Sequence, residues 1–412
     1  MRHWIRGRFV VLTLALSTCT ALLTQSARAQ TYSVIYNFTG GADGANPETS
    51  LTMDRAGNLY GTASNGGNDS CDYGSGCGTV FRLSHSASGW LFTLVYAFQS
   101  EDDGWAIAGP VVFGSDGNLY GTTEFGGSGE YCNGSGCGTV YKLSPPAGVV
   151  GKWTKTMLYS FARGEDGAFP TGQVSFDSEN TAYVTGAGGG AYNLGVVAKL
   201  TPSHGQWTET AIYAFNNNGG VEPWGGVVFD RSGNLYGTTL GYPGNEVFQL
   251  TPSGSDWLEN TLYTFSGAEA NPWGGLIFDP SGNLYGTTWY RGGTVFELTP
   301  SGDSWAYGLV YRFVLGHTQG YGPYGPAAGV VMDSSGNLYG TTESDGAYGF
   351  GSVFKLTPSE NGWIYTALHD FSGGADGLYP VAGVTLDANG NLYGTAGGGG
   401  AYGYGVVWEI TP

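Results

Sequence analysis

Acidic and aromatic residues recur together in the loops of this chain, and both residue types suit the binding of sugars. Aromatic rings stack on the C–H faces of sugars, and carboxylates accept hydrogen bonds from hydroxyl groups. We therefore predict a set of loop residues as ligand-binding; packing of the same rings onto the protein is the alternative, because large aromatic side chains are mostly buried. The set comprises Asp43, Asp103, Trp105, Asp166, Glu222, Trp224, Trp273, Tyr324, Asp376 and Tyr379.

Catalysis by these carboxylates would need a pair whose environments separate their two pKa values, and the sequence does not single out such a pair. The chain has no G-x-S-x-G, Walker A or H-E-x-x-H motif. We predict no cofactor and no metal site, and a non-catalytic carbohydrate-binding module. The alternatives are a hydrolase or lyase that cleaves glycans with loop carboxylates, and a protein-interaction scaffold. The five histidines fall at unrelated positions, namely His3, His85, His204, His317 and His369.

Seven copies of one repeat must position these loops. The clearest copy is FDPSGNLYGTT at residues 278–288, and each copy adds three further strand-like segments of the types LYxF, VVFD and VFxLTP. Intervals of 49 to 63 residues without a helical pattern are typical of propellers. The sequence predicts an all-β, seven-bladed β-propeller of four-stranded blades, with VVFD nearest the centre and LYxF at the rim. The copies are centred on Asn58, Asn118, Thr181, Asn234, Asn283, Asn337 and Asn391.

Two features inside the repeat have simple backbone explanations. In Asp-x-x-Gly-Asn, the Asp suits the first position of a type I turn and the Gly suits a left-handed position. Metal binding is the alternative role for this Asp, although Gly114 replaces it in the second copy. The glycine of NLYGT, such as Gly237 or Gly286, is predicted to let the neighbouring blade approach closely.

The two ends of the chain predict how the ring closes. An LYxF-type segment occupies residues 32–38, and the chain stops at Pro412 just after a VFxLTP-type segment. We predict that residues 32–38 pair with residues 406–411 and complete the seventh blade, because this arrangement protects open strand edges. A first blade of consecutive residues 32–83 is the alternative.

Residues 1–29 have the pattern of a secretory signal peptide. Three arginines precede an apolar run at residues 9–23, and Ala27-Arg28-Ala29 forms a small-residue cleavage site. We predict cleavage after Ala29, one propeller domain at residues 30–412, and an extracellular or periplasmic location. The formal charge of -18 becomes -22 when the four arginines of residues 1–29 are removed. Such acidity argues against nucleic-acid and anionic-membrane partners. We expect a monomer, with a glycan or a surface protein as its partner and no membrane insertion after cleavage of the signal peptide.

Four cysteines follow the predicted signal peptide, at equivalent places in the first two repeats. This placement favours the disulfide pairs Cys71 with Cys77 and Cys132 with Cys137 over the other pairings. Zinc binding is the alternative, but no histidine lies beside either pair.

The repeated D-x-x-G-N-L-Y-G-T-T followed by G-x-V-F-x-L-T-P resembles the GloVer tandem repeat of exported bacterial proteins, over nearly all of residues 30–412. The resemblance implies a secreted or surface protein, often with a C-terminal anchoring segment. This sequence ends at Pro412 without such a segment, so we expect free secretion. The strand-turn-strand core also looks like an NHL-type blade, a likeness that implies no functional residues.

Overall fold

The computed structural model describes residues 30–412 except 72–73, 130–131, 133, 149–150, 217–218, 242–243, 268–269 and 314–323. The predicted signal peptide therefore lies outside the described residues. Seven antiparallel sheets form the blades of a β-propeller, and each blade has four strands in the predicted order from centre to rim. Blade 3 has an additional short strand, Ala168–Pro170. Short 3-10 turns occur at Glu101–Asp103 and Tyr290–Gly292.

The strands of blades 1 to 7 occupy the same four positions in every repeat. The innermost strands are Thr52–Met53, Val112–Phe113, Ser175–Phe176, Val228–Phe229, Ile277–Phe278, Val331–Met332 and Thr385–Leu386. The second strands are Leu59–Ala63, Leu119–Thr123, Ala182–Gly188, Leu235–Thr239, Leu284–Thr288, Leu338–Thr342 and Leu392–Ala396. The third strands are Thr79–Ser86, Thr139–Ser144, Val196–Ser203, Glu246–Ser253, Thr294–Ser301, Ser352–Ser359 and Val406–Thr411. The outermost strands are Gly89–Ala97, Thr154–Ser160, Gln206–Ala214, Asp256–Thr264, Ser304–Arg312, Gly362–Asp370 and Thr31–Asn37.

Burial explains the apolar character of the middle strands. Every residue of the LYGTT strand Leu284–Thr288 is buried, because neighbouring blades cover both faces of the sheet. At the rim, the residues of Asp256–Thr264 are exposed or partly buried except the buried Leu262, and the two classes alternate over residues 256–260. Phenylalanine side chains at the ends of the rim strands pack on an aromatic ring in the third strand of the next blade, with ring centroids 4.9 to 6.3 Å apart. These contacts join the blades at the rim.

The ring closes as predicted. Strand Thr31–Asn37 pairs antiparallel with Val406–Thr411, so the first strand in the sequence is the outermost strand of the last blade. Phe38, directly after it, is fully buried and packs on Phe81 of blade 1. The alternative of a first blade made of consecutive residues 32–83 is therefore wrong.

Threonine hydroxyls join neighbouring blades near the axis. In five blades the first threonine of the LYGTT or LYGTA strand donates a hydrogen bond to a backbone carbonyl just before the innermost strand of the next blade. One of these bonds links blade 7 to blade 1. The pairs are Thr122 with Gly172, Thr238 with Gly274, Thr287 with Ala328, Thr341 with Ala382, and Thr395 with Thr49. The repetition of this threonine therefore has a structural explanation at the blade interfaces.

The Asp-x-x-Gly-Asn segment forms the predicted turn. Asp54 accepts hydrogen bonds from the backbone N–H groups of Ala56 and Asn58 at 2.8 and 2.9 Å, and Gly57 has a φ of 80°. In blade 2, where Gly114 replaces this Asp, the Asp116 carboxylate accepts the bond from the Asn118 N–H instead. These bonds give the Asp a structural role.

The glycine of the LYGTT strand serves a different purpose from the predicted one. A Cβ atom added to Gly286 would lie 2.5 Å from the Phe296 ring and 2.7 Å from Leu276, both in the same blade. The prediction that this glycine admits the neighbouring blade was wrong; it makes room for the phenylalanine of the paired third strand.

Both predicted disulfides are present. Cys71 bonds to Cys77 and Cys132 bonds to Cys137, and each bridge closes a loop between the second and third strands of its blade. All four half-cystines are buried and belong to the hydrophobic cores of blades 1 to 3. A zinc site at these sulfurs is thereby ruled out.

Candidate functional site

A cavity of about 890 Å³ lies at the propeller axis. Every blade contributes to its wall through the residues that precede the innermost strand, for example Leu51, Leu276 and Val330. Residues from the loops after the rim strands and after the second strands line one end of it; we call this end the mouth and this face of the propeller the upper face. A cavity of this size can enclose a small ligand or the end of a polymer.

One repeated position supplies a cavity-lining side chain from each blade. It is the residue after the loop proline, or after Ile107 in blade 2. In six blades the residue before the proline position has a positive φ, between 52° and 65°, so the loop has the same local backbone conformation in these blades. The seven lining residues are Glu48, Ala108, Thr171, Trp224, Trp273, Ala327 and Val381.

A second repeated position adds side chains at the mouth. It is the residue directly after the LYGTT strand, and in blades 1, 2, 5 and 6 it lines the cavity as Ser64, Glu124, Trp289 and Glu343. The two positions together bring three tryptophans and three glutamates to the cavity wall.

The aromatic side chains form a continuous arc on one side of the mouth. The ring centroids of Trp224 and Trp273 are 5.3 Å apart, and those of Trp273 and Trp289 are 5.0 Å apart. Tyr324 extends the arc by stacking on Trp289 at 4.1 Å with an interplanar angle of 4°. All four side chains are partly exposed. The arc therefore offers ring faces and edges to a ligand at the mouth.

The three glutamates share the confined space of the cavity. Burial raises the pKa of Glu48, and the nearby charge of Glu343 raises it further; water reaches the Glu48 side chain, but the cavity walls restrict its hydration. Burial also raises the pKa of Glu124. Burial raises the pKa of Glu343, against the effect of a 2.6 Å hydrogen bond from the Trp289 indole N–H. That bond fixes one carboxylate directly beside the aromatic arc.

Four of the predicted ligand-binding carboxylates lie at the rim, outside the cavity wall. Each one anchors the turn after a rim strand by accepting a hydrogen bond from a backbone N–H. Asp43, Asp103 and Asp166 also accept a hydrogen bond from the tyrosine seven residues earlier. The backbone donors are Thr39 to Asp43, Gln99 to Asp103, Ala162 to Asp166 and Ser372 to Asp376, at 2.8 to 3.0 Å.

Asp103 and Asp376 have additional side-chain partners. The Lys155 ammonium lies 2.8 Å from an Asp103 carboxylate oxygen, with 5% of the Lys155 side chain exposed. His369 Nε2 lies 3.2 Å from Asp376 Oδ2. Each of these two carboxylates therefore links its turn to a side chain on a rim strand.

The remaining predicted residues are divided between the mouth and the loops around it. Trp224 and Trp273 line the cavity, and Tyr324 joins them through Trp289. Trp105 stacks on Phe125 at 4.8 Å in a loop outside the cavity wall. Glu222 and Tyr379 occupy the positive-φ position before the proline and are exposed away from the wall.

Two glutamates of the cavity, Glu48 and Glu343, were not predicted as site residues. Glu124 and Trp289 follow NLYGTT-type segments in the sequence but were not among the predicted ligand-binding residues either. The signal that identifies all four is positional, because each occupies one of the two repeated lining positions.

The described part of the chain contains no group of three or more His, Cys, Asp or Glu side chains arranged to hold a metal ion. Within the same residues, no helix has the length and apolar character needed to cross a membrane.

The sequence matches the Gloeobacter/Verrucomicrobia repeat over residues 21–153, 132–292 and 240–412. The chain belongs to this repeat family. The three matches together span residues 21–412, so the repeat accounts for the whole propeller. No curated protein gives a significant match to the sequence.

Solved structures with similar folds include several enzymes. A fungal alcohol oxidase in complex with copper has a TM-score of 0.59 and 14% identity, covering 93% of this chain and 77% of its own. The periplasmic gluconolactonase of Pseudomonas aeruginosa has a TM-score of 0.51 and 14% identity, covering 88% and 95%. An ulvan lyase of polysaccharide lyase family PL25 has a TM-score of 0.51 and 10% identity, covering 89% and 93%. At these identities the likeness concerns the fold alone.

Proposed function

We propose that this GloVer-repeat protein is a secreted binding module that holds a carbohydrate at the mouth of the axial cavity. The observation that supports this function best is the arc of Trp224, Trp273, Trp289 and Tyr324 beside the Glu343 carboxylate. Sugar rings stack on aromatic faces, while their hydroxyls donate to carboxylates. Ligand pockets commonly combine such aromatic walls with a few polar groups.

Export is part of this proposal. The signal-peptide pattern of residues 1–29 and the two disulfides support an oxidising compartment outside the cytoplasm. We further propose that the protein acts as a monomer without nucleic-acid partners, in keeping with its formal charge of -18.

A glycan array probed with residues 30–412 tests the binding function. We expect binding to neutral or basic glycans, weakened at least about tenfold in Trp273→Ala or Trp224→Ala, since truncating a central aromatic contact typically has such an effect. Tyr402→Ala is the matched control, because Tyr402 is an exposed aromatic residue outside the cavity wall. Equal loss in the control variant, or no binding to any glycan, would argue against carbohydrate binding at the mouth.

One observation favours catalysis as a second candidate function. Glu48 and Glu343 are close enough for the charge of one to raise the pKa of the other, and glycan-cleaving enzymes use a pair of carboxylates with separated pKa values. Product release from any bound glycan, assayed in parallel, distinguishes the two functions. Release that disappears in both Glu48→Gln and Glu343→Gln would establish an enzyme; binding without release would establish the module.

A further inference from the structure

The charge of the axial cavity is of one sign only. Among the described residues that line it, the ionisable side chains are Glu48, Glu124 and Glu343, and none is Lys, Arg or His. The whole chain is also acidic, with 15 Lys and Arg residues against 33 Asp and Glu. A ligand that approaches the mouth therefore meets negative potential both at long range and inside the cavity.

We infer that the glycan bound in this cavity has protonated amino groups, and that the class of ligand is a polymer of amino sugars with free amines. This inference rests on the proposed function. An ammonium group beside Glu48 and Glu343 gains the attraction of opposite charges in addition to a hydrogen bond, whereas a neutral hydroxyl gains the hydrogen bond alone. A uronate or sulfated sugar would instead add a further negative charge to a cavity whose described lining has three glutamates and no Lys, Arg or His.

The aromatic arc favours the same ligand by a separate effect. Trp289 donates its indole N–H to Glu343 at 2.6 Å, so the carboxylate lies at the edge of the ring system. A sugar that stacks on Trp273 or Trp289 therefore has its substituents within reach of Glu343. The faces of the rings attract cations through their quadrupoles, most strongly for tryptophan. The cavity thus offers a cation both a carboxylate and an indole face.

Repulsion between the cavity carboxylates supports the inference further. The Glu343 charge raises the pKa of Glu48, which means that two negative charges in this space are unfavourable. A bound ammonium between them offsets that repulsion. An uncharged sugar leaves it in place.

Three oligomers of the same length distinguish the possible ligand charges. We would measure binding of glucosamine, N-acetylglucosamine and galacturonate hexamers to residues 30–412 by calorimetry, at a slightly acidic pH where the amines are protonated. We expect the glucosamine hexamer to bind at least about tenfold more tightly than the N-acetylated hexamer, as is usual for a hydrogen bond to a charged partner. The galacturonate hexamer should bind most weakly. Added salt should reduce the difference.

Variants identify the residues responsible. Glu48→Gln and Glu343→Gln should each lower affinity for the glucosamine hexamer more than affinity for the N-acetylated hexamer, since the amide keeps the shape of the side chain but removes the charge that attracts an ammonium group. Glu360→Gln removes an exposed charge in the hairpin at the opposite face and serves as the control. Melting curves of each variant establish that it is folded.

The remaining outcomes separate this inference from the proposed function. Equal binding of the amine and the N-acetylated hexamer, or preferential binding of galacturonate, would overturn the inference while leaving carbohydrate binding intact. If no hexamer bound and the glycan array were also blank, both would fail. If Glu360→Gln lowered affinity for the glucosamine hexamer as much as Glu48→Gln and Glu343→Gln do, general attraction to an acidic protein, and not the cavity, would explain the preference for the amine.

Discussion

Glu246 is a carboxylate at a strand position where four other blades have a threonine or serine. Only 3% of it is exposed. Burial, and then the charge of Glu259, raise its pKa to about 7. Thr261 donates a 3.1 Å hydrogen bond to its side chain, and the Gly220 N–H donates another. A residue of this kind makes the stability of blade 4 depend on pH.

We predict that replacing Glu246 by Gln flattens this dependence. A carboxyl group with a raised pKa binds its proton more tightly in the folded state, so its stabilisation is complete below about pH 4.5 and is lost as the pH rises through about 7. The loss for a single buried group is about 1–3 kcal/mol. Melting temperatures measured from pH 4.5 to pH 8 should therefore fall less in Glu246→Gln than in the natural protein.

The comparison between variants isolates Glu246 from other acids, such as Glu209, whose pKa is also raised to about 7 by burial and by Asp166. Glu360→Gln, at an exposed position, should reproduce the natural pH profile. A constant difference between Glu246→Gln and the natural protein at every pH would contradict the assignment, because it would indicate a change in packing instead of a titration.

The second strand of each blade sets the contact with the next blade. Thr341 donates a 2.7 Å hydrogen bond to the Ala382 carbonyl of the following blade, and both residues are buried. In blade 3 the equivalent hydroxyl, that of Thr185, is buried without a hydrogen-bond partner. The threonine at this strand position therefore forms a hydrogen bond to the next blade in blade 6 but not in blade 3.

We predict that replacing threonine by valine lowers stability at position 341 but not at position 185. Thr341→Val leaves the Ala382 carbonyl without its donor and should lower the free energy of unfolding by about 1–3 kcal/mol, the usual effect of a buried polar group left unsatisfied. Thr185→Val removes an unpaired hydroxyl and should be neutral or stabilising. Thermal or denaturant unfolding of both variants measures the difference. Equal destabilisation by both substitutions would show that methyl packing, and not the hydrogen bond, decides stability here.

Local pattern explains why the blades were predictable and the cavity wall was not. A strand such as Leu284–Thr288 is specified by its own residues and its turn, so the repeat predicted its place in each blade. The cavity wall depends on which of two adjacent loop residues faces the axis. Glu222 and Trp224 flank Pro223; Glu222 has a positive φ and is exposed, whereas Trp224 lines the cavity. Backbone conformations of this kind are not evident from residue type, because Glu rarely adopts a positive φ.

Asp103 shows that side-chain partners, like loop backbone conformations, could not be predicted from the sequence. Its acidic neighbours and the aromatic residue after them favoured ligand binding, but its partner Lys155 is 52 residues away in the next blade. Pairing across a blade interface depends on the closed ring. It could not be derived from a single repeat.

At the scale of the whole molecule, the propeller is a ring held by its first strand. Strand Thr31–Asn37 supplies the rim of blade 7, and Tyr32 stacks on His369 of blade 6 with ring centroids 3.6 Å apart. Phe38 packs on Phe81 of blade 1. The strand therefore contacts the blades on both sides of the closure, and without it the edge of Val406–Thr411 would lack a partner.

We predict that a chain lacking residues 30–38 opens at the junction of blades 7 and 1. The exposed edge of Val406–Thr411 should pair with other copies, so the truncated chain should elute as larger species in size-exclusion chromatography and melt at a lower temperature. The milder variant Phe38→Ala should remain monomeric, but its free energy of unfolding should fall by about 3–5 kcal/mol, as is typical when a buried phenylalanine is truncated to alanine. A synthetic peptide of residues 30–40 should restore the monomer, whereas a peptide with the same composition in scrambled order should not. A truncated chain that stays monomeric with an unchanged melting temperature would show that side-chain packing closes the ring without this strand.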